Sequence, residues 1–436
     1  MQTHFSSEQL ADPHTAALEK ILRSCVHCGF CTATCPTYVV GRDERDSPRG
    51  RIYLIKELME TGRAPDANDV EPLDHCLSCL SCMTTCPSGV DYRRLIDHAR
   101  VEVETRYPRD PFDAALRALL VWLLPHRGRF RLALGLARLG RPLLPVLSRL
   151  PEIGPRLEAM LKLAPSRLPA RDATEGPGVF KAPGGQAKRR RVALLTGCAQ
   201  GVLAPQINAA TIRILNRAGV DAVLAKGEGC CGSLAHHMGR EPAAAQAARN
   251  NIDAWIAEMD GEGLEAVVVT ASGCGATIKD YGAMLADDPA YAGKAARVAA
   301  LAKDGSEYLA GLDLEFAHPR REVVAYHAAC SLQHGQKILD APKALLRRAG
   351  YEVRTPAEAH LCCGSAGTYN ILQPRIAGEL RARKARSLAR LKPDFIATGN
   401  IGCITQLTGA TAAPVAHIAE LLDWAQGGPP VAGGRA

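Results

Sequence analysis

No apolar run in this chain approaches the roughly 18 uncharged residues that a membrane-crossing helix needs, so the sequence offers no transmembrane span. The opening residues, MQTHFSSEQLADPHTAALEK, lack a basic start followed by an apolar stretch, so no secretion signal is expected. Aromatic residues make up 5% of the chain, too few for the stacking platforms that nucleic-acid binding would use. No C-x-x-C-H pattern occurs, which excludes covalent haem attachment, and no P-loop is present. Neither a Ser/His/Asp set nor a carboxylate pair stands out. The formal net charge of +8 is modest, but its placement is uneven: residues 114–150 contain no acidic residue.

What the chain has in quantity is cysteine, 16 residues among 436. A cytoplasmic, reducing location is expected for want of an export signal, and there thiols serve metals or redox chemistry rather than structural disulfides. A shift of 51 positions carries Cys25, Cys28, Cys31 and Cys35 onto Cys76, Cys79, Cys82 and Cys86, with Pro36 landing on Pro87. A shift of 132 carries Cys198, Cys230, Cys231 and Gly232 onto Cys330, Cys362, Cys363 and Gly364. Each C-terminal half closes on one more cysteine, Cys274 in ASGC and Cys403 in NIGC. Two duplicated systems account for every cysteine.

In the first system, C-x2-C-x2-C-x3-C-P folds a tight loop whose first three thiolates converge, while the fourth cysteine of such a run reaches the other cluster in two-cluster ferredoxins. One [4Fe–4S] cluster is therefore expected on Cys25, Cys28, Cys31 and Cys86, and a second on Cys76, Cys79, Cys82 and Cys35. Pro36 and Pro87 end the loops without offering an N–H. Structural zinc is the alternative, but it favours separated C-x2-C pairs and leaves the third cysteine of each run without a purpose. His27, inside the first run, reads as a solvated neighbour.

In the second system, adjacent cysteines can face one ion only if the backbone turns sharply, and Gly232 and Gly364 permit that turn. A lone thiol at a strand end, Cys198 or Cys330, would complete a site at the carboxyl edge where open α/β sheets bind ligands. Cys198, Cys230, Cys231 and Cys274, and likewise Cys330, Cys362, Cys363 and Cys403, are candidate ligands of a further iron–sulfur cluster or of zinc. A reactive dithiol or a buried pair gives the same spacing. His327 and His360 sit just before ligand-like cysteines. They read either as donors to a sulfur or a quinone oxygen, or as partly buried loop histidines. GEGCCG (227–232) matches G-x-G-x-x-G, but its variable positions are the paired cysteines and no acidic residue is placed to hold a ribose, so no nucleotide site is expected.

Composition divides the chain into a cysteine-bearing region (1–108), a basic Leu/Arg-rich helical segment (109–165), a Pro/Gly/basic linker (166–191) and two cysteine-rich repeats (192–318 and 319–436). In the repeats the runs VALLT, DAVLA, AVVVT, EVVAY and DFIAT alternate with amphipathic segments, which argues for parallel strands and crossover helices. The expected fold class is α + α/β: a helical two-cluster ferredoxin-like domain, then a duplicated α/β domain. In the basic segment Arg117, Arg127, Arg129, Arg131, Arg138, Arg141 and Arg149 lie among leucines with Trp122, broken by Pro125, Pro142 and Pro145. That pattern suits the surface of an anionic membrane leaflet or packing onto a neighbouring subunit.

The motifs CVHCGFCTATCPTY, SPRGRIYLIK, CLSCLSCMTTCPSGVDY, NNIDAW, TASGCGA and LCCGSAGTY, in that order, resemble the iron–sulfur subunit of bacterial glycolate oxidase (glycolate dehydrogenase) over nearly the whole chain. The C-terminal halves resemble the CCG cysteine-rich domain shared with heterodisulfide reductases, lactate-utilisation proteins and anaerobic glycerol-3-phosphate dehydrogenase. That domain closes on C-x-x-C. Here Ala271 and Asn400 replace the first cysteine of the pair, leaving four thiols per half instead of the five of a non-cubane cluster. The resemblance implies an electron-transfer subunit of an oxidoreductase, peripheral on the cytoplasmic face of the inner membrane. FAD-containing partner subunits would oxidise glycolate to glyoxylate, the hydride chemistry belonging to the flavin. This chain would relay the electrons to an acceptor such as quinone, with no catalytic residue of its own. The iron–sulfur subunit of a lactate or glycerol-3-phosphate dehydrogenase is one alternative. A zinc-stabilised interaction scaffold is another, from a different class.

Overall fold

The computed structural model describes residues 1–140, 142, 153–184 and 190–433, so Arg141, Pro145 and Arg149 lie outside the described residues. In the N-terminal domain the two cysteine loops share one backbone course. His27 (φ 54°) and Ser78 (φ 48°) are left-handed at matching positions, as are Gly29 (φ 84°) and Leu80 (φ 61°). A non-glycine residue in that region costs about 1 kcal/mol, so the duplication reaches the level of backbone conformation. Each loop runs into a one-turn helix, Phe30–Thr34 or Ser81–Thr85, and these two helices pack together. The longer helices Pro48–Thr61 and Tyr92–Arg106 close over them, burying Ile55, Leu95 and Ile96. The first begins cleanly because Ser47 accepts from the Gly50 N–H and Pro48 occupies its first turn, where no N–H is needed.

The basic segment is helical as its periodicity suggests, in Pro111–Leu123, Arg127–Gly140 and Ile153–Leu163. Beyond it lie two sheets. The first contains β1 (Gly178–Phe180), β2 (Arg190–Leu194), β3 (Val220–Leu224), β4 (Ala266–Val269) and β5 (Ala302–Asp304), ordered β1-β3-β2-β4-β5. The second contains β6 (Val323–Tyr326), β7 (Glu352–Arg354), β8 (Phe395–Thr398) and β9 (Val415–His417), ordered β7-β6-β8-β9. Every pairing is parallel except that of β1 with β3. Helices cover both faces, which is why β3 and β4 are buried at every position and read as continuous apolar runs.

Without β1 the two sheets have the same order. β5 and β9 each lead into a helix closed by a reciprocal cap, Asp304 with Glu307 and His417 with Glu420. The stretch read as a linker is only partly one. It supplies the edge strand β1, held where the Ala182 N–H donates to Asp221 Oδ1 at 2.6 Å, and the first residues of β2.

The repeats are joined by an exchange of helices. Gln206–Arg217 packs on Ile418–Ala425, and the matching Ala341–Arg348 packs on Gly305–Ala310. Val192, Leu194, Val324, Tyr326 and Phe395 meet in one core between them. At its rim the buried Asp423 accepts from Arg213 at 2.6 Å and Arg217 at 2.6 Å. Replacing Asp423 with Ala strands both guanidiniums, which are 38% and 35% exposed. That exposure discounts the cost of a broken buried pair to about 2 kcal/mol. Urea denaturation should show the loss, and an unchanged midpoint would mean that the pair does not tie the repeats together.

Candidate metal centres

Cys25, Cys28 and Cys31 of the first run and Cys82 and Cys86 of the second line one hollow, walled by Pro48, Ile52 and Tyr92. Cys82 in turn lies within electrostatic reach of Cys79, Cys76 and Cys35, and of Cys31 as well. The structure thus brings the last cysteine of each run to the thiols of the other. Cys35 (φ −79°, ψ 116°) and Cys86 (φ −73°, ψ 116°) end the paired one-turn helices in nearly the same extended conformation. The two groups differ in depth. Cys28 is exposed, whereas Cys35, Cys76, Cys79 and Cys82 are all buried.

Beside the deeper group sits Arg51, a fully buried cation that no sequence pattern singles out. Its guanidinium donates to Pro72 O at 2.6 Å, Thr37 Oγ1 at 3.0 Å, Asp46 Oδ1 at 3.1 Å and Cys35 Sγ at 3.8 Å. Asp46 is shared with His75 Nδ1 at 2.9 Å. Tyr92 OH donates to Cys76 Sγ at 3.7 Å, and Arg100 donates to Cys76 O at 2.6 Å. Burial pushes the Cys79 and Cys82 thiols well above their ordinary range, and Cys362 adds to the rise at Cys79. Metal binding here must displace those protons. Free thiols converging in two groups, with a buried cation and several donors aimed at them, fit anionic [4Fe–4S] cores.

In the C-terminal half the thiols form two chains of neighbours, Cys198–Cys230–Cys231–Cys274 and Cys330–Cys362–Cys363–Cys403. Cys330 Sγ and Cys362 Sγ are 3.7 Å apart. The glycine after each pair is obligatory. Gly232 (φ 83°) and Gly364 (φ 88°) donate their N–H to Cys230 Sγ and Cys362 Sγ, each at 3.4 Å. A Cβ there would stand 2.8 Å from Ala244 O or 2.6 Å from Ala377 O. Asn400, where a cysteine would complete the closing pair, donates to Cys403 Sγ at 3.5 Å instead.

All the C-terminal cysteines open into one cavity of about 470 Å³, whose remaining wall is largely apolar and includes Leu120, Leu134, Leu161 and Leu203 from the helical segment and beyond. The two cysteine systems also touch: Cys79 and Cys362 share an apolar cluster with Leu77 and Tyr369. Nearby, Thr84 Oγ1 donates to His334 Nδ1 at 2.7 Å while His334 Nε2 donates to His360 O at 3.0 Å.

The singled-out histidines separate. His27 is exposed, and its carbonyl accepts from Arg49 at 3.4 Å. His360 meets the site through its carbonyl. His327 is buried beside Cys363 and Cys403.

Several arginines of the basic segment are engaged within the protein. Arg117 is buried against Asp74 and Asp113, each at 2.8 Å, Arg131 binds Glu175 at 2.8 Å, and Arg129 stacks on Trp122 at 4.4 Å. On the helix Arg127–Gly140, Leu132 and Leu139 stand outward, 67% and 78% exposed, at helical spacing, while Leu136 between them also lines the cavity. No helix among the described residues is long and apolar enough to cross a membrane.

Replacing Arg51 with Gln removes a buried positive charge beside Cys35. The centre that Cys35 borders should then become harder to reduce, with a more negative potential in an EPR-monitored redox titration. An unchanged potential would mean that Asp46 already cancels the guanidinium.

Residues 21–90 match the 4Fe-4S dicluster domain family, and residues 192–279 and 324–408 each match the Cysteine-rich domain (CCG) family. The chain is 41% identical to the glycolate oxidase iron-sulfur subunit of Escherichia coli K12, over 98% of this chain and 99% of that one. It is 33% identical to the probable glycolate oxidase iron-sulfur subunit of Bacillus subtilis 168, over 93% and 94%. Lactate utilization protein A of Bacillus licheniformis is 27% identical over 53% of this chain and 99% of its own length. A solved hypothetical protein from Helicobacter pylori covers 96% of this chain and 73% of its own at a TM-score of 0.53 and 10% identity, a likeness of fold alone.

Proposed function

The chain belongs to the glycolate oxidase iron–sulfur subunit family, and on that premise we propose that it carries electrons from a flavin-bearing partner, which oxidises glycolate to glyoxylate, to a lipophilic acceptor. Membership makes it an iron–sulfur electron-transfer component of an oxidoreductase complex. The FAD would sit on the partner subunits, and no bond-breaking residue is assigned to this chain. Cys25, Cys28, Cys31 and Cys86 would hold one [4Fe–4S] cluster, and Cys76, Cys79, Cys82 and Cys35 the other. When bound, such clusters supply one-electron carriers whose potentials respond to hydrogen bonds, charge and exposure.

The observation that carries this reading is the graded burial of two adjoining thiol groups. The group containing exposed Cys28 faces the surface, where a partner can approach. The deeper group adjoins Cys362 and hence the apolar cavity, a setting suited to a quinone. The leucine stripe on Arg127–Gly140 suits a membrane surface or a neighbouring subunit, in keeping with a peripheral place on the cytoplasmic face of the inner membrane. Glycolate is favoured over lactate because the glycolate oxidase relatives match end to end, whereas the lactate-utilisation relative spans about half of this chain.

The test is Cys31→Ser in the assembled complex. Iron and labile sulfide should fall by about one cluster's share. Glycolate should still bleach the partner flavin, while reduction of a quinone analogue stops. Full quinone-linked turnover in that variant would contradict the relay.

A further inference from the structure

The two cysteine-rich repeats are copies in fold, yet their thiol sites are not copies in chemistry. At the carboxyl end of β6 stands His327, 1% exposed, its ring nitrogens without a nitrogen or oxygen partner and its ring set against the Cys403 thiol. Its ligating nitrogen and the sulfurs of Cys363 and Cys403 all lie within 4.8 Å of one another. Among the described residues no other set of three histidine, cysteine or carboxylate groups is so tightly convergent, including the thiols of the first repeat. The residue matching His327 under the 132-position shift is Leu195, a core side chain with no donor.

A second difference points the same way. Lys384 is 3% exposed, within electrostatic reach of Cys363, Cys362 and Cys403, and its ammonium donates to Glu358 O at 2.7 Å. Its counterpart under the same shift is Ile252, an apolar core side chain. The second repeat has therefore gained a neutral nitrogen donor and a buried cation together.

Magnitudes decide what such a site would hold. Zinc–sulfur bonds of about 2.3 Å in a tetrahedron place sulfurs about 3.8 Å apart. The 4.8 Å limit on the His327 set is a spacing of that order, and Cys362, outside that set, neighbours Cys363. An iron–sulfur core, with inorganic atoms between its ligands, needs its thiolates spread more widely.

We propose that the second repeat holds a single zinc ion on His327, Cys363 and Cys403, with the adjacent Cys362 as fourth ligand, and that the first repeat has no equivalent site. Three thiolates and a neutral imidazole around Zn²⁺ leave one negative charge, which the Lys384 ammonium offsets. Zinc takes the place of the protons of the three thiols, and no electron moves. A closed tetrahedral zinc is redox-inert, so it would fix the wall between Cys79 and the apolar cavity without itself carrying current. The inference does not depend on the relay: it concerns a metal that the flavin partner does not touch.

The experiment uses the full chain purified anaerobically, with metal analysis and zinc-edge X-ray absorption, in which iron clusters are silent. Wild type should contain about one zinc per chain, with a nitrogen shell near 2.0–2.1 Å and sulfur near 2.3 Å. His327→Leu, which installs the residue of the first repeat, should retain at least tenfold less zinc after chelator dialysis. Its reduced cluster EPR signals, unchanged, would show that the fold survives. His327→Cys should restore zinc with an all-sulfur shell, and Cys231→Ser, in the first repeat, should leave zinc unaltered. Negligible zinc in wild type, an all-sulfur shell there, or full zinc retention in His327→Leu would each overturn the assignment.

Discussion

Two one-turn helices, Phe30–Thr34 and Ser81–Thr85, lie against each other, and each hands the last cysteine of its run, Cys86 or Cys35, to the thiols of the other. The two loops are thus packed as one object. The rest of the N-terminal domain serves that crossing. Left-handed residues set the loop course, Pro48–Thr61 and Tyr92–Arg106 shield it from water, and Arg51 places a positive charge where reduced cores would be most negative. In a low-dielectric interior that charge acts strongly, because little water screens it.

The C-terminal half applies duplication differently. Fold symmetry is kept: the same strand order, the same capped helix after the last strand, the same exchange of helices across the shared core. Chemical symmetry is not, since His327 and Lys384 in one repeat correspond to Leu195 and Ile252 in the other. Only the second repeat's thiols adjoin Cys79, so divergence has fallen on the repeat that touches the deeper set. The cavity beyond is walled by the helical segment, whose Arg117 and Arg131 pair with carboxylates while Leu120 and Leu134 line the cavity and Leu132 and Leu139 face solvent.

Much of this was legible in the sequence, because metal-ligand spacing is local and duplicated. The cysteine runs, the repeats and the runs that became β2, β3, β4, β6 and β8 could be read directly. The strands β5, β7 and β9 could not: three residues at a sheet edge carry no periodicity, and tertiary pairing alone defines them. β1 was hidden in a stretch whose Pro and Gly content reads as linker, for the same reason. Arg51 looked like one more helix-surface arginine, and the inward pairing of Arg117 depends on Asp74, 43 positions away. His327 was visible as a candidate, but its distinction from His360 rests on burial, which pattern does not report.

The central claim is that these thiols cage two adjacent inorganic cores. Its most direct measurement is the EPR spectrum of the anaerobically purified, dithionite-reduced chain, read together with its iron and acid-labile sulfide. The account predicts about eight sulfides per chain and the broadened, interacting signals of two neighbouring reduced clusters. A chain with negligible labile sulfide, or with the unsplit signal of one isolated cluster, would contradict it.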